Sequence, residues 1–369
     1  MRAHIVDPSA FTPPYDHALS SALARAGAHV ELITSRFGYG TVPEPDGYAV
    51  RELFYRHAVG APGSPARRAG KLLEHVPDMV RYRTVARAAD VVHFQWLTVQ
   101  AVDRYLLPDR PTVLTAHDLL PREPRPGQAR AQRRLYDAVD AIVAHSGYGR
   151  DLLVRRLGVD PAKVRVIHHG AFEHFTAQPH EAPLPDELQA VEAPVVLFFG
   201  LLRPYKGLDT LLEAWRGVDG AELWVVGRPR MPLEPLRAAV AQARNARLIP
   251  RFVSDAELPA FFRRADIVVL PYSRTERLDW SGVLATALAF GKPIVVSDVG
   301  GFADVAEGGA ARLVAPDDPG ALRDAIEGLL TDEQAREGLA WGALTAAKGA
   351  YSWEAAADET LALYRDLVP

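Results

Sequence analysis

The sequence predicts an α/β protein with two doubly wound parallel sheets, and two patterns lead to that prediction. Short apolar runs bounded by turn residues recur along the whole 369-residue chain, which is typical of buried parallel strands. Amphipathic segments with helical periodicity separate these runs. Repeated alternation of strand and helix indicates a parallel sheet with helices on both of its faces.

The apolar runs are shared between the two halves of the chain. In the first half, strands are predicted at Ala3–Val6, Val30–Thr34, Val91–Phe94, Thr112–Thr115, Ala141–Ala144 and Val164–Ile167. In the second half, strands are predicted at Val195–Phe199, Leu223–Val226, Ile267–Leu270, Ile294–Ser297 and Ala311–Val314. The segments between them predict helices, for example at Ala18–Ala26, Ala131–Tyr136, Thr210–Arg216 and Ser281–Phe290.

One interruption of the alternation predicts the domain organisation. The stretch from Thr176 to Pro194 is rich in proline and acidic residues and contains no apolar run, which is typical of a linker. We therefore expect an N-terminal Rossmann-like domain over 1–176, a linker over 177–193 and a C-terminal Rossmann-like domain over 194–351. Ser352 predicts the N-cap of a last helix within 352–369, which we expect to pack back on the N-terminal domain.

Composition and charge exclude several classes of protein. The formal net charge of −4 gives no reason to expect a nucleic-acid-binding protein. The absence of cysteine excludes disulfides, thiolate metal sites and a cysteine nucleophile. The N-terminus lacks the apolar core of a signal peptide, and no segment approaches the ~20 apolar residues that span a bilayer. These features predict a cytoplasmic protein.

The strongest candidate site follows the predicted strand Val195–Phe199. The strand ends at Gly200, and two cations, Arg203 and Lys206, follow three residues apart before a helix begins near Leu208. A nucleoside diphosphate needs positive charge near both phosphates and a backbone that allows close approach. The alternative interpretation is a surface loop with two solvated cations.

A second candidate site follows the predicted strand Ile267–Leu270. The polar loop 271–281 leads into a helix whose predicted cap is Ser281, so the first backbone N–H groups of that helix are available to a phosphate. Glu276 and Asp279 precede the helix and are suited to hold sugar hydroxyls. The alternative is a capped helix with exposed acids, and for Asp279 alone we favour that alternative.

In their order and spacing, these segments resemble the retaining glycosyltransferases of family 4, which have the GT-B fold. The second half carries the resemblance through FFGLLRPYKGLDTLLEAW, LWVVG, RFVSDAELPAFFRRADIVVLPY, SGVLATALAFGKPIVVSDVGGFADV, VAPDDPGAL and YSWEAAADETLALY. The first half is compatible with the family through GAHVELIT, DVVHFQW, TAHD, DAIVAHS and VIHHGAF. The resemblance implies two Rossmann-like domains that face each other across a cleft.

The resemblance also implies a role for particular residues of this chain. His117, Glu276, Lys206 and Arg203 are the implied catalytic residues, with Glu276 on the transferred sugar and His117 near sugar and acceptor. The implied donor-binding residues are Arg203 and Lys206 on the diphosphate, Gly282, Val283 and Leu284 at the helix start, Phe252 or Val253 at the base, and Thr286.

Two departures from the family pattern change these expectations. Thr286 stands where the family has a second glutamate, and the loop before it has a changed length, so either Glu276 or Asp279 is the acid that holds the donor sugar. The usual Gly-Gly loop near the N-terminus is also absent. Its place is taken by Thr12–Asp16, which leaves Tyr15, Asp16 and His17 as candidates on the acceptor side.

The function implied is hexosyl transfer, with retention, from a nucleoside diphosphate sugar to a glycan, a lipid-linked molecule or a small molecule. UDP and GDP are the nucleotides expected, and we expect no metal, no other cofactor and no nucleic-acid partner. Two alternatives stay open. One is a nucleotide-sugar epimerase or hydrolase on the same fold, and the other is a non-catalytic partner protein, which Thr286 favours.

Basic segments in the first half indicate a candidate partner surface. Residues 67–87 and 122–134 are interpreted as basic helices that contact an anionic membrane peripherally or bind a charged acceptor. The alternative, which we favour, is a solvated arginine-rich face. Pro77 is expected to interrupt the first of these segments. For any single one of His93, His145, His168 and His169, structural packing is the favoured interpretation.

Overall fold

A computed structural model describes residues 1–38, 40, 42–61, 63–120, 126–178, 180–275 and 278–368. The chain forms two compact units. The first consists of Met1–Gly170 together with Ser352–Pro369, and the second of Ala171–Tyr351. In this division, the residues predicted as a linker, 177–193, belong to the second unit.

In the described residues of the first unit, seven parallel strands form one sheet in the order β3-β2-β1-β4-β5-β6-β7. The strands are β1 Arg2–Asp7, β2 His29–Ser35, β3 Ala49–Phe54, β4 Val91–Phe94, β5 Thr112–Thr115, β6 Ala141–Ala144 and β7 Val164–Val166. The α-helices between them are α1 Pro13–Arg25, α2 Pro65–Val85, α3 Gln100–Asp103, α4 Gln128–Ala138 and α5 Gly147–Asp151.

The second unit repeats this architecture with six described parallel strands in the order β10-β9-β8-β11-β12-β13. The strands are β8 Val195–Phe199, β9 Glu222–Val226, β10 Ala246–Ile249, β11 Ile267–Leu270, β12 Ile294–Ser297 and β13 Arg312–Val314. The helices are α6 Asp186–Gln189, α7 Leu208–Trp215, α8 Leu233–Gln242, α9 Leu258–Arg264, α10 Gly282–Ala289, α11 Phe302–Glu307, α12 Pro319–Thr331 and α13 Glu333–Lys348.

Each sheet contains a point where the strand order reverses. In the first unit β1 pairs with both β2 and β4, and in the second β8 pairs with both β9 and β11. Ligands of doubly wound sheets bind beyond the carboxyl ends of the strands at such a switch point. The predicted α/β class, with two Rossmann-like parallel sheets, is therefore confirmed, and the loops after β1, β4, β8 and β11 lie at the two switch points.

One strand in each sheet was not predicted from the sequence. The missed strands are β3 and β10, and each lies at an edge of its sheet. The first four residues of β3 are exposed, and β10 is half-buried until its last residue. An edge strand that is not covered on both faces does not need a continuous apolar run, so the periodicity was absent from the sequence.

The predicted bounds of the basic helices, 67–87 and 122–134, need correction. Helix α2 spans Pro65–Val85 and continues through Pro77, which we expected to interrupt it. The carbonyl that loses its partner there belongs to Leu73, which is 79% exposed, so water can replace the missing donor. Helix α4 begins at Gln128, after Gly127 with a φ of 79°. Residues 121–125 lie outside the described part.

The last helix, α14 (Trp353–Leu367), belongs to the first unit and packs against α1. Ser352 caps it, because its Oγ accepts a hydrogen bond from the backbone N–H of Ala355 at 3.1 Å, as the sequence predicted. The indole of Trp353 lies against Gly170, where a Cβ atom would come within 2.3 Å of the ring. Within the described residues, no helix is long and apolar enough to cross a bilayer.

Candidate functional site

The loops after β8 and β11 pack directly on each other at the switch point of the second sheet. Gly207 has a φ of 69°, and a Cβ atom there would lie 1.7 Å from the carbonyl oxygen of Pro271. The backbone N–H of Ser273 donates to the carbonyl of Tyr205 at 2.9 Å. Only glycine tolerates both the left-handed backbone and this approach, so Gly207 is required for the two loops to meet.

Lys206 lies at the centre of this junction. Its side chain is buried, and a Cβ atom at Gly200 would come within 2.9 Å of its Nζ and 3.0 Å of Val283 Cγ2. Nζ also lies 5.1 Å from the ring centre of Tyr272. The structure therefore brings the predicted residues Lys206 and Val283 together, over the glycine that ends β8.

Helix α10 begins beside this lysine without a side-chain cap. Ser281 occupies the N-cap position, as predicted, but its Oγ lies 3.0 Å from the hydroxyl of Tyr272 and accepts no hydrogen bond from the helix. The prediction that Ser281 caps the helix is therefore wrong, because a tertiary partner takes its hydroxyl. The N–H groups of Gly282, Val283 and Leu284 at the positive end of the helix dipole can consequently bind an anion.

Arg203 adds a second cation to the same loop. The residue is half-buried, and its Nε is fully buried without a hydrogen-bond partner among the described residues. A buried donor without a partner is unfavourable by about 1–3 kcal/mol. Such a donor in a loop at the switch point is typical of a group held ready for a ligand.

Of the two acids predicted to hold the donor sugar, the structure describes only Asp279. Glu276 lies outside the described residues. Asp279 is fully buried, so our favoured interpretation of it as an exposed acid is wrong. The backbone around it is covered by Gly300 and Gly301. The N–H of Gly301 donates to the Asp279 carbonyl at 2.9 Å, and a Cβ at Gly300 would lie 2.6 Å from the carbonyl oxygen of Leu278.

Three further predicted residues lie on elements of the same unit. Thr286 is buried, and its hydroxyl donates to the carbonyl of Gly282 at 2.9 Å, which leaves the lone pairs of Oγ1 as its remaining hydrogen-bonding capacity. Phe252, in the loop after β10, is 57% exposed, and its carbonyl accepts from Arg251 at 3.0 Å. Val253 next to it is buried.

The corresponding turn of the first unit is organised around a carboxylate. Asp7, the last residue of β1, accepts hydrogen bonds from the backbone N–H groups of Ser9, Phe11 and Thr12 at 3.1, 2.5 and 3.2 Å. Asp16 is buried beside it, and burial together with the charge of Asp7 raises the pKa of Asp16. We therefore assign the proton of the pair to Asp16, which donates it to Asp7.

The other two acceptor-side candidates are buried in aromatic surroundings. Tyr15 makes an edge contact with the ring of His117, with 4.6 Å between ring centres. Burial raises its pKa above the usual range. His17 pairs through Nδ1 with the hydroxyl of Tyr48 at 2.5 Å, and burial lowers its pKa to about 4. Neither residue is exposed.

His117 is half-buried and forms part of a chain of hydrogen bonds. Nδ1 of His145 donates to the carbonyl of Ile167 at 3.0 Å, and burial lowers the pKa of His145 to about 4, so it is neutral. Its Nε2 is then an acceptor for Nδ1 of His117, at 3.3 Å. On the other side of the His117 ring, Nε2 lies 3.1 Å from Oε1 of Gln95, an oxygen that only accepts hydrogen bonds.

A cavity of about 230 Å³ opens beside His117, between the ends of β4 and β5 and helix α4. Two buried amides line it. Nε2 of Gln95 and Oε1 of Gln132 each lack a hydrogen-bond partner among the described residues. Trp96 forms another wall, stacked on His117 with 5.1 Å between ring centres. A molecule with several hydroxyl groups would satisfy both amide atoms, because a hydroxyl both donates and accepts.

Gln95 and Gln132 were not predicted as site residues from the sequence. Gln95 directly follows β4 at the switch point, which was an available signal in the segment DVVHFQW. Gln132 carried no such signal, because it is one polar residue of an arginine-rich helix. Its Nε2 donates to the carbonyls of Asp118 and Leu119 at 3.0 and 3.3 Å, and these tertiary contacts hold the side chain in the cavity wall.

His93 and His169 are packed into the structure, the interpretation favoured from the sequence. His93 is buried between the hydroxyls of Tyr364 and Thr115, each at 2.7 Å, and burial lowers its pKa to about 3. Burial likewise lowers the pKa of His169 to about 3. Among the described residues, no three or more His, Asp or Glu side chains are grouped to hold a metal ion.

Family models match both units of the chain. The model described as Glycosyltransferase Family 4 matches residues 15–171, and that described as Glycosyl transferases group 1 matches residues 193–332. The D-inositol 3-phosphate glycosyltransferase of Xylanimonas cellulosilytica is 31% identical over 94% of this chain and 89% of that protein. That of Kineococcus radiotolerans is 28% identical, over 95% of this chain and 89% of its own length.

Solved structures of low sequence identity share the fold. Sucrose-phosphate synthase from Thermosynechococcus elongatus superposes with a TM-score of 0.76 at 20% identity, covering 100% of this chain and 99% of that one. Anabaena HepE in complex with UDP-glucose gives a TM-score of 0.72 at 18% identity, covering 98% of this chain and all of its own. The predicted GT-B class is confirmed by this similarity.

Proposed function

The chain belongs to the family 4 glycosyltransferases, and we propose that it transfers a hexosyl group from a nucleoside diphosphate sugar to a hydroxyl group of its acceptor. Membership of the family makes the chain a glycosyltransferase. What we propose is the identity of the donor and of the acceptor and the stereochemistry of the transfer. One observation carries it. Lys206 lies over Gly200 and beside Val283 at the switch point of the second sheet, where the uncapped end of α10 also lies.

The second unit would hold the donor. Departure of the nucleoside diphosphate places negative charge on the leaving phosphate, and groups already oriented towards that charge lower the barrier most effectively. Lys206, Arg203 and the N–H groups of 282–284 are such groups. Phe252 or Val253 would meet the base, Thr286 the ribose, and Glu276 or Asp279 the sugar. UDP or GDP is the nucleotide proposed, and the complex of HepE with UDP-glucose supports UDP.

The first unit would hold the acceptor in the cavity beside His117. The two unpaired amide atoms of Gln95 and Gln132 suit a molecule with several hydroxyls, and relatives named for D-inositol 3-phosphate support an acceptor of that kind. The ring of His117 would contact the attacking hydroxyl. We propose retention of the anomeric configuration and catalysis without a metal.

The donor site is tested by nucleotide-induced thermal stabilisation. UDP, GDP, ADP and TDP are each added at millimolar concentration, and a ligand at 100 times its Kd raises the free energy of unfolding by about 2.7 kcal/mol. We expect one nucleotide to shift the melt of the wild type and none to shift that of Lys206→Ala. Lys292→Ala is the matched control, since Lys292 is another partly buried lysine of the same unit, bonded to the carbonyls of Arg263 and Ala265.

Two results would overturn the proposal. If no nucleotide shifts the wild-type melt, the non-catalytic alternative is favoured. If a nucleotide binds but the donor sugar is released as free sugar or epimerised in the presence of polyol acceptors, the hydrolase or epimerase alternative is favoured. Proton NMR of the glycoside formed decides between retention and inversion.

The acceptor side is tested by Gln95→Met, which removes the amide at similar volume. The nucleotide-induced shift of the melting temperature should not change. KM for a polyol acceptor should rise at least ~10-fold, as for the loss of one buried hydrogen bond. An unchanged acceptor KM would remove Gln95 from the acceptor site.

A further inference from the structure

A second cavity at the carboxyl edge of the first sheet is lined by cations. It has a volume of about 200 Å³. Arg36 follows β2, whereas Arg67, Arg68 and Lys71 lie on the first turns of α2. Its described lining contains no acidic side chain. Phe11 lines both this basic cavity and the cavity beside His117, so the two open along the same loop after β1.

The charge of this basic cavity is unfavourable without an anion. The first turn of α2 contains no acid, although the positive end of a helix dipole favours one. It carries Arg67 and Arg68 instead. Burial and the neighbouring charge of Arg67 both lower the pKa of Lys71. The carboxylate of Asp7 acts on Lys71 in the opposite direction, but it is already held by three backbone N–H groups.

Two of the four cations, Lys71 and Arg67, are held in place by neighbouring groups. Nζ of Lys71 lies 4.9 Å from the ring centre of Tyr55, and the hydroxyl of Tyr55 is 2.7 Å from Nδ1 of His75. His75 is fixed in turn by Asp103, with 2.5 Å between Nε2 and Oδ1. On the other wall, Arg67 donates to the carbonyl of Ala58 at 3.0 Å. A ligand meeting these side chains would therefore lose little affinity to their ordering.

We propose that the basic cavity binds an oxyanion, a phosphate or carboxylate group, carried by the acceptor substrate. The inference rests on the proposed function, since it assigns the anion to the molecule whose hydroxyls occupy the neighbouring cavity. A membrane surface is the competing partner, because the exposed residues Leu72, Leu73 and Val76 lie on the same helix. The shared wall at Phe11 and the concave lining favour the substrate.

Calorimetric titration of the full chain with inorganic phosphate tests the proposal. The diphosphate site of the second unit also attracts phosphate, so each titration is repeated in the Lys206→Ala background. We expect Lys71→Gln to weaken the remaining binding at least ~10-fold, as for the loss of one charge-assisted hydrogen bond. Arg67→Gln should act in the same direction. Arg83→Gln is the control, since it removes an exposed charge from the same helix outside the cavity.

Several outcomes would overturn the proposal. They are an absence of phosphate binding in the Lys206→Ala background, an affinity unchanged by Lys71→Gln, or an equal loss in Arg83→Gln. Co-sedimentation with phosphatidylglycerol vesicles measures binding to a membrane surface, the competing partner. If Lys71→Gln lowers vesicle binding but leaves phosphate affinity unchanged, the cavity serves lipid and the proposal fails.

The nucleotide-induced shift keeps the two proposals separate. Lys71→Gln should keep the wild-type shift, which also shows that the variant is folded. A missing shift in the wild type contradicts the donor proposal, whereas a Lys71-independent phosphate affinity contradicts only the basic cavity.

Discussion

The first βα turns of the two units have the same position in the fold and opposite electrostatics. In the first unit the backbone N–H groups after β1 point to the carboxylate of Asp7. In the second unit the loop after β8 presents Lys206 beside the uncapped start of α10. One turn has its anion built into the chain, and the other is arranged to receive one from a ligand.

This difference shows that topology decides where a ligand site can lie and local side chains decide its charge. Both turns lie beyond the carboxyl end of the first strand of a doubly wound sheet. The first turn contains the carboxylate of Asp7 beside a protonated Asp16. The second turn contains the cations Arg203 and Lys206 instead. The four predictions that follow test this contrast.

The largest expected effect is a loss of stability of the first unit on acidification. His93, His145 and His169 have pKa values lowered to about 3, 4 and 3 by burial. The stabilisation that these neutral histidines give to the folded state is complete above about pH 6.5, the pKa of a histidine in the unfolded chain. It is lost as the pH falls from there towards their folded pKa values. Each group then lowers the free energy of unfolding by about 1.4 kcal/mol per pH unit.

Hydrogen exchange at pH 7 and pH 5 checks this expectation unit by unit. The amides of β4, β6 and β7 should lose protection before those of the second sheet. In the second unit, Glu257 has a pKa lowered to about 2 by its pairing with Arg251, so its stabilisation is lost only below about 4.5. His29→Gln, at an exposed position, should leave the pH dependence of hydrogen exchange unchanged. Equal loss of protection in both units would contradict the contrast.

Next in size is the effect of Lys206→Ala on turnover. We expect kcat to fall at least ~100-fold under saturating donor, as for the loss of one group that stabilises transition-state charge. Steady-state kinetics with Lys292→Ala as the control measures it. A loss of tenfold or less would mean that Lys206 is not a diphosphate contact.

A smaller effect is expected from Ser281→Asp, which gives the second turn an internal anion like that of the first. A carboxylate at the N-cap can accept from the N–H groups of α10 and repel a diphosphate. Nucleotide affinity should fall about tenfold or more, while the melting temperature without nucleotide is kept or raised. Ser352→Asp, at the capped start of α14, should leave nucleotide affinity unchanged. Undiminished nucleotide binding in Ser281→Asp would place the phosphate elsewhere.

The smallest effect is expected from Asp16→Asn, which replaces the protonated member of the carboxyl pair. Because the pKa of Asp16 is raised in the folded state, its protonated carboxyl contributes its full stabilisation below about pH 3.9, the pKa of an aspartate in the unfolded chain. This stabilisation is lost as the pH rises. Above that value, the free energy of unfolding of the variant should therefore rise relative to that of the wild type by up to about 1.4 kcal/mol per pH unit. Urea titrations at several pH values measure the difference. Parallel profiles would show that Asp16 is not the protonated partner.

The sequence predicted most of the fold because its buried strands are continuous apolar runs. Val91–Phe94, Thr112–Thr115 and Ile267–Leu270 begin and end in the structure where the sequence predicted them. The cap at Ser352 was predicted for a similar reason, since its partner N–H lies three residues away. Patterns of this kind are local, so the sequence displays them.

The sequence also indicated Arg203, Lys206 and the start of α10, because strand, loop and helix follow one another along the chain. It did not indicate that Ser281 bonds Tyr272 rather than its helix, or that Asp279 is buried. It gave no sign that Asp7 holds the loop of residues 8–12, because that arrangement depends on three-dimensional closure of the turn.

By itself, then, the sequence determined the two parallel sheets, the loops that follow their strands and the cations of the second unit. These depend on hydrophobic period and on neighbours a few residues apart. The tertiary structure alone decided which polar groups are left unpaired, such as Gln95 and Gln132, and which charges are buried together. Hydrogen-bond satisfaction and desolvation depend on groups distant in the chain, so no local pattern records them.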